Sequence, residues 1–174
     1  FIDFCNSIPV AASATSLTIV IATLAAYGIT RFRFTGREYI AGGMLFTYMF
    51  APILIVVPFY ILMKNYGLIN TKLGLVLAYT TFSLPFSMWL LRSFFVPFAF
   101  PGVIAVSIFT FIVAWNDYLF ARVLVSDNLM KTLPIGMNDL YNATITDWGM
   151  MMAGGVVVTV PALAFFIMIQ RYLI

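Results

Sequence analysis

Inside its apolar stretches the sequence offers neutral polar groups and little else. Tyr48, Tyr79, Thr80, Ser83, Trp115 and Asn116 are the residues whose types could do chemistry there. The run YTTFS, residues 79–83, is the densest group of hydroxyls within an apolar segment. Hydroxyls orient a solute by hydrogen bonds, and aromatic faces stack on its apolar ring surfaces. Such a lining suits a neutral, hydroxyl-rich solute. For any one of these hydroxyls the ordinary alternative is back-bonding to its own helix or packing between helices. For Trp115 the alternative is an aromatic belt at a membrane surface, with Asn116 and Asp117 beginning the outer side.

Other chemistries are poorly supplied. Histidine is absent and Cys5 is the single cysteine. A serine–histidine pair, a disulfide within the chain and a Cys/His metal site therefore have no residues to build them. No pair of carboxylates shares a face within an apolar segment, so an intramembrane enzyme is not expected, nor is a cofactor or metal in this chain. The middle of each apolar segment also lacks ionisable groups. Ion-coupled carriers usually need one to hold the coupling ion, although unwound backbone can bind sodium by itself. The net charge is +3, with basic residues scattered singly apart from one short cluster. That argues against nucleic acid as a partner.

The elements that must position these groups are transmembrane helices. Of 174 residues, 63% are hydrophobic and 9% charged, against about a quarter charged in a soluble domain. A bilayer-spanning helix needs about 20 mostly apolar residues. Intervals free of charge occur at 4–30, 39–63, 73–91, 93–116 and 148–170. Five spans in an all-α bundle are expected, and the alternation of a membrane barrel is missing. The cluster TRFRFTGRE after the first span places that loop in the cytoplasm. The basic ends at Arg92 and Arg171 then fall on the same side, while residues 126–147 form a long outer segment with a docking or gating role in view. Ala11, Thr15, Thr18, Ala22 and Ala26 put small residues on one face of the first span, which lets helix backbones approach closely. Pro52, Pro58, Pro85 and Pro161 lie within spans and are positions for bends.

One junction is too short. Between Leu91 and Pro97 about five residues remain for a connection between spans. A tight helical hairpin could turn in that length. The alternative is a chain from which an internal loop is missing, and the ends at Phe1 and Ile174 also look trimmed.

Several stretches carry a family resemblance: AAYGITRFRFTGRE, GLINT, LPFSMWLLRSFF, and WNDYLFA followed by TLPIG. In order and over nearly the whole chain, they resemble the inner-membrane permease subunits of binding-protein-dependent ABC carbohydrate importers, of the MalG-like class. The resemblance implies a single transmembrane permease domain over residues 1–174, with six spans in the intact chain. It also implies a cytoplasmic loop between Phe95 and Val96, about two to three dozen residues long and more than a hairpin turn requires. In the family that loop carries a Glu-Ala-Ala…Gly motif on a coupling helix. The implied partners are a second permease subunit in a heterodimer, two ATPase subunits that hold ATP and Mg, an extracytoplasmic solute-binding protein, and the bilayer of a prokaryotic cytoplasmic membrane. The implied activity is import of a sugar or related polyol by alternating access. Sugar phosphates and glycerol phosphodiesters remain open as substrates. So do an ion-coupled carrier and a non-transporting scaffold as other functions.

Overall fold

The computed structural model describes residues 2–32, 35–49, 52–94, 99–142 and 148–173. Among them every regular element is an α-helix, in the order α1 (Ile2–Arg31), α2 (Arg37–Met49), α3 (Pro52–Asn65), α4 (Lys72–Phe94), α5 (Ala99–Asn116), α6 (Leu119–Leu124), α7 (Leu133–Tyr141) and α8 (Trp148–Leu173). The helices α1 and α4 are each long and apolar enough to cross a membrane. Shorter apolar helices lie at Pro101–Asn116 and Trp148–Ala164. The junction at 95–98 and most of the segment 142–147 lie outside the described residues.

One expected span differs. The interval 39–63, read as a single helix, is α2 followed by α3, with axes 95° apart. Pro52 opens α3, where its missing N–H would have had no partner in any case. The second proline of this helix, Pro58, lies within it.

The centre of the bundle is α1, which packs along α4 and α5. Val10, Ala11, Ala14, Thr18, Ala22 and Ala26 line its buried face. Small side chains here let three backbones come together, which is how helices gain contact in lipid where apolar burial gives no preference. Ser87 on α4 and Thr110 on α5 share a buried hydrogen bond of 3.1 Å. On the outward faces Val20, Leu24, Leu54, Val57, Val156 and Val160 are exposed, as expected of surfaces that meet acyl chains.

The ends that the sequence assigns to one side of the membrane meet in space. Both Glu38 carboxylate oxygens accept hydrogen bonds from Arg92 at 2.7 Å, joining the starts of α2 and the end of α4. At the other side Asn6 donates to the Leu129 carbonyl at 2.8 Å, and the Leu133 N–H donates to Ser7 Oγ at 2.8 Å. Asp139 pairs with both Lys131 and Arg122. The long outer segment is thus pinned to the first turns of α1.

The GLINT stretch is a helix-to-helix turn made of local devices. Gly67 has φ +67° and follows α3, the left-handed position that ends many helices. Asn70 also has positive φ, at 56°. Its Oδ1 accepts the N–H groups of Ser126 at 2.6 Å and Asp127 at 3.2 Å. Thr71 Oγ1 caps α4 by accepting the Gly74 N–H at 3.0 Å. A Cβ at Gly74 would run into the Leu68 carbonyl oxygen. Asn70→Ala should remove two hydrogen bonds and leave a Cβ in the left-handed region, at a combined cost of about 2–3 kcal/mol. Asn70→Gly should recover only the backbone part. Thermal unfolding of the detergent-purified protein checks both, and equal midpoints for the two variants would place the whole effect in the lost hydrogen bonds.

Candidate functional site

A cavity of about 600 Å³ lies between α2, α3, α4 and the α5–α6 break. Its wall is mostly apolar, with an aromatic cluster. Phe59 of α3, Phe82 of α4 and Phe120 of α6 meet there, with the Phe82 and Phe120 rings stacked at 4.2 Å. Tyr48 of α2 lies against Phe86 of α4 at 5.0 Å. The polar lining is Thr47, Tyr48, Tyr79, Thr81, Ser83 and Asp117. Aromatic walls with a few convergent polar groups are the usual make-up of a small-molecule site.

Asp117 fills the break between α5 and α6. Its Oδ2 accepts the N–H groups of Phe120 at 3.1 Å and Ala121 at 3.2 Å, so the carboxylate caps the short helix α6. Asp117 had been expected to begin the outer surface. Instead it is turned inward and lines the cavity. Burial pushes its carboxyl above the ordinary carboxylate range, against the opposing pull of the Ala121 N–H, the Tyr79 hydroxyl and the Phe120 N–H. Tyr79 lies close enough to Asp117 for the two to interact electrostatically, yet no hydrogen bond of ordinary geometry joins them. The Ser83 hydroxyl is likewise buried without a hydrogen-bond partner.

The six residues singled out in the sequence divide into two sets. Tyr48, Tyr79 and Ser83 line the cavity. Thr80 is turned about 100° from Tyr79 around α4 and faces α1, where its hydroxyl reaches the Ala14 carbonyl at 3.5 Å. Trp115 is buried on the other side of α5, donating from Nε1 to the Val158 carbonyl of α8 at 3.1 Å. Asn116 is exposed and donates to the Ile112 carbonyl of its own helix at 2.9 Å. The sequence picks out Phe82 only as part of the run YTTFS, and it does not pick out Phe59, Phe120 or Asp117 as lining. The phenylalanines come from three separate helices, so no spacing links them.

A second cavity, about 870 Å³, lies between the start of α1, α7 and α8. Asp3, Asn128, Lys131 and Asp139 supply its polar lining.

No family model matches the chain. Among curated proteins it is similar to the inner membrane ABC transporter permease protein YcjP of Escherichia coli, 32% identical over 200 residues that take in 99% of this chain and 71% of that protein. It is 34% identical over 196 residues to the diacetylchitobiose uptake system permease protein NgcG of Streptomyces coelicolor, covering 97% of this chain and 65% of that protein. It is 28% identical over 197 residues to the trehalose/maltose transport system permease protein MalG of Thermococcus litoralis, covering 97% and 70%. The chain thus spans about two thirds of the length of these relatives.

Proposed function

We propose, from the premise that the chain belongs to the permease family of ABC transporters, that it forms half of the path by which an ATP-driven importer moves a sugar or related polyol across the cytoplasmic membrane. It is a multi-pass membrane protein whose helices wall a path; the reaction that powers movement belongs to other subunits. Family membership favours this reading over an ion-coupled carrier or a scaffold. The observation that carries the substrate class is the cavity between α2 and α6, lined by three phenylalanine rings together with Tyr48, Tyr79 and Ser83. Relatives named for trehalose, maltose and diacetylchitobiose support it.

The partners of this proposal are a second permease subunit, two ATPase subunits that bind ATP and Mg, and an extracytoplasmic solute-binding protein. A ligand or partner shifts a conformational equilibrium only by its differential affinity for the two states. Closure of the ATPase pair on ATP would favour the outward-facing state, and a loaded binding protein would engage the outer face. The segment 126–142, fixed to α1 through Asn6 and Ser7, is positioned for that engagement. Contact with the ATPases requires a cytoplasmic coupling segment. The matched stretch runs 200 residues against the 174 of this chain, which supports a longer internal connection in the full protein; the proposal puts it between Phe95 and Val96.

The test is ATP hydrolysis by the assembled transporter in proteoliposomes. Addition of sugar-loaded binding protein should raise the rate well above that with ligand-free binding protein. A rate indifferent to loading would overturn the importer reading.

A further inference from the structure

The sequence left neutral sugars and sugar phosphates unresolved as substrates, and the cavity between α2 and α6 contains the groups that decide between them. Two buried hydroxyls of lining residues, Tyr79 Oη and Ser83 Oγ, make no hydrogen bond of ordinary geometry in the protein, although Tyr79 lies beside Asp117. Their residues are 3% and 2% exposed. A buried hydroxyl without a partner costs free energy unless a ligand or water satisfies it. Asp117 adds an acceptor beside them. Both N–H groups of the α6 cap go to its Oδ2, which leaves Oδ1 without a backbone donor, and the Tyr79 hydroxyl lies beside the carboxylate. Among the described residues the lining holds no lysine or arginine. The set therefore pairs one anionic acceptor with two neutral hydroxyls, in front of the Phe59, Phe82 and Phe120 rings.

We propose that Asp117 determines solute specificity: its Oδ1 accepts a hydroxyl of a neutral sugar held by Tyr79 and Ser83, and its charge turns away phosphorylated sugars. This rests on the sugar-importer reading and adds to it a subsite within this chain. The chemistry is complementary in both directions. A sugar hydroxyl donates to the carboxylate, the Tyr79 O–H donates to a sugar oxygen, and Ser83 can do either. Hydrogen bonds to a charged acceptor are the stronger kind. A phosphate in the same place would meet a like charge with no cation to offset it.

The test uses the full assembled transporter, purified in detergent without binding protein, so that the permease's own selectivity is read. Trehalose, maltose and trehalose 6-phosphate are titrated while the thermal unfolding midpoint is followed. In the wild type, at least one neutral disaccharide should raise the midpoint and trehalose 6-phosphate should not. Asp117→Asn retains a side-chain carbonyl oxygen for the Phe120 and Ala121 N–H groups, so the cap survives. Its half-saturating concentration for the neutral sugar should rise about tenfold, the loss of one charge-assisted hydrogen bond, and trehalose 6-phosphate should begin to bind. Tyr79→Phe removes a hydroxyl that lies beside Asp117 but makes no hydrogen bond of ordinary geometry, and it should weaken neutral-sugar binding several-fold without admitting the phosphate. Tyr79→Phe carries the test by itself should Asp117→Asn fail to assemble. Equal responses of the wild type and both variants would overturn the proposal, because a carboxylate that only caps α6 does not alter selectivity. A wild type that binds none of the three, while loaded binding protein still stimulates ATP hydrolysis, would overturn the subsite and leave the importer reading standing. Loss of that stimulation as well would overturn both.

Discussion

Trp115→Ala should be among the most damaging single truncations in this chain, lowering stability by about 3–5 kcal/mol, the range for emptying a buried aromatic site. Trp115 is 2% exposed and is among the largest fully buried side chains. It stacks on Phe111 of its own helix at 5.7 Å and meets the edge of Phe4 on α1 at 5.6 Å. Its Nε1 donates to the Val158 carbonyl, which ties α8 to α5. One side chain therefore joins α1, α5 and α8, and removing it opens a cavity where all three meet. Trp115→Phe should keep much of the ring packing and lose the hydrogen bond, for about 1 kcal/mol plus a share of the lost volume. The thermal midpoints of the purified protein should fall in the order wild type, Phe, Ala. The same series tests the role that the sequence suggested for this residue. If Trp115→Ala kept wild-type stability and instead changed the half-saturating sugar concentration, Trp115 would belong to the solute path and not to the packing.

The architecture was legible because the bilayer imposes a coarse rule. Apolar intervals of the right length become helices, and the small residues of α1, from Ala11 to Ala26, mark the face that others pack against. The break between α2 and α3 was not legible as a bend of 95°. Pro52 shows where a helix can start, but proline is also common in helices that merely curve. The cavity was legible only along one helix. Tyr79 and Ser83 are four residues apart and so share a face of α4, whereas Thr80 lies a third of a turn away and meets α1. Which face of α4 meets the cavity is set by tertiary packing, which a single span does not encode. Asp117 was read as surface because a charge at the end of an apolar run normally marks water. The chain breaks there, and the need to cap α6 turns the carboxylate inward. GLINT was conspicuous as a motif before its role was visible. Its glycine, asparagine and threonine serve three consecutive backbone needs: a helix end, a left-handed residue and a cap.

Ala22→Leu is the second change with a large expected effect, and it acts by the opposite route, overfilling in place of emptying. Ala22 and Ala26 of α1 are fully buried against Leu91 of α4 and Val106 of α5, both fully buried themselves. No room is left for three further carbons. Either the side chains leave their preferred rotamers or α1 moves away from α4 and α5, and forced overpacking of this kind costs about 1–3 kcal/mol, sometimes more. In a membrane the separated helices find lipid in place of one another, so the cost is expressed as lost association between helices. The variant should show a lower thermal midpoint and a loss of monodisperse assembly on size-exclusion chromatography after mild heating. Val20→Leu gives the contrast. Val20 is on the same helix but exposed, and its enlargement should change stability by no more than about 0.5 kcal/mol. The double variant Ala22→Leu/Leu91→Ala returns volume to the contact and should recover part of the loss, since neighbouring substitutions couple where distant ones add. Without that recovery, the damage from Ala22→Leu would have to come from something other than the α1–α4 contact. The close approach of these helices near the Arg31 end of α1 and the Arg92 end of α4 would then lose its claim to hold the bundle together.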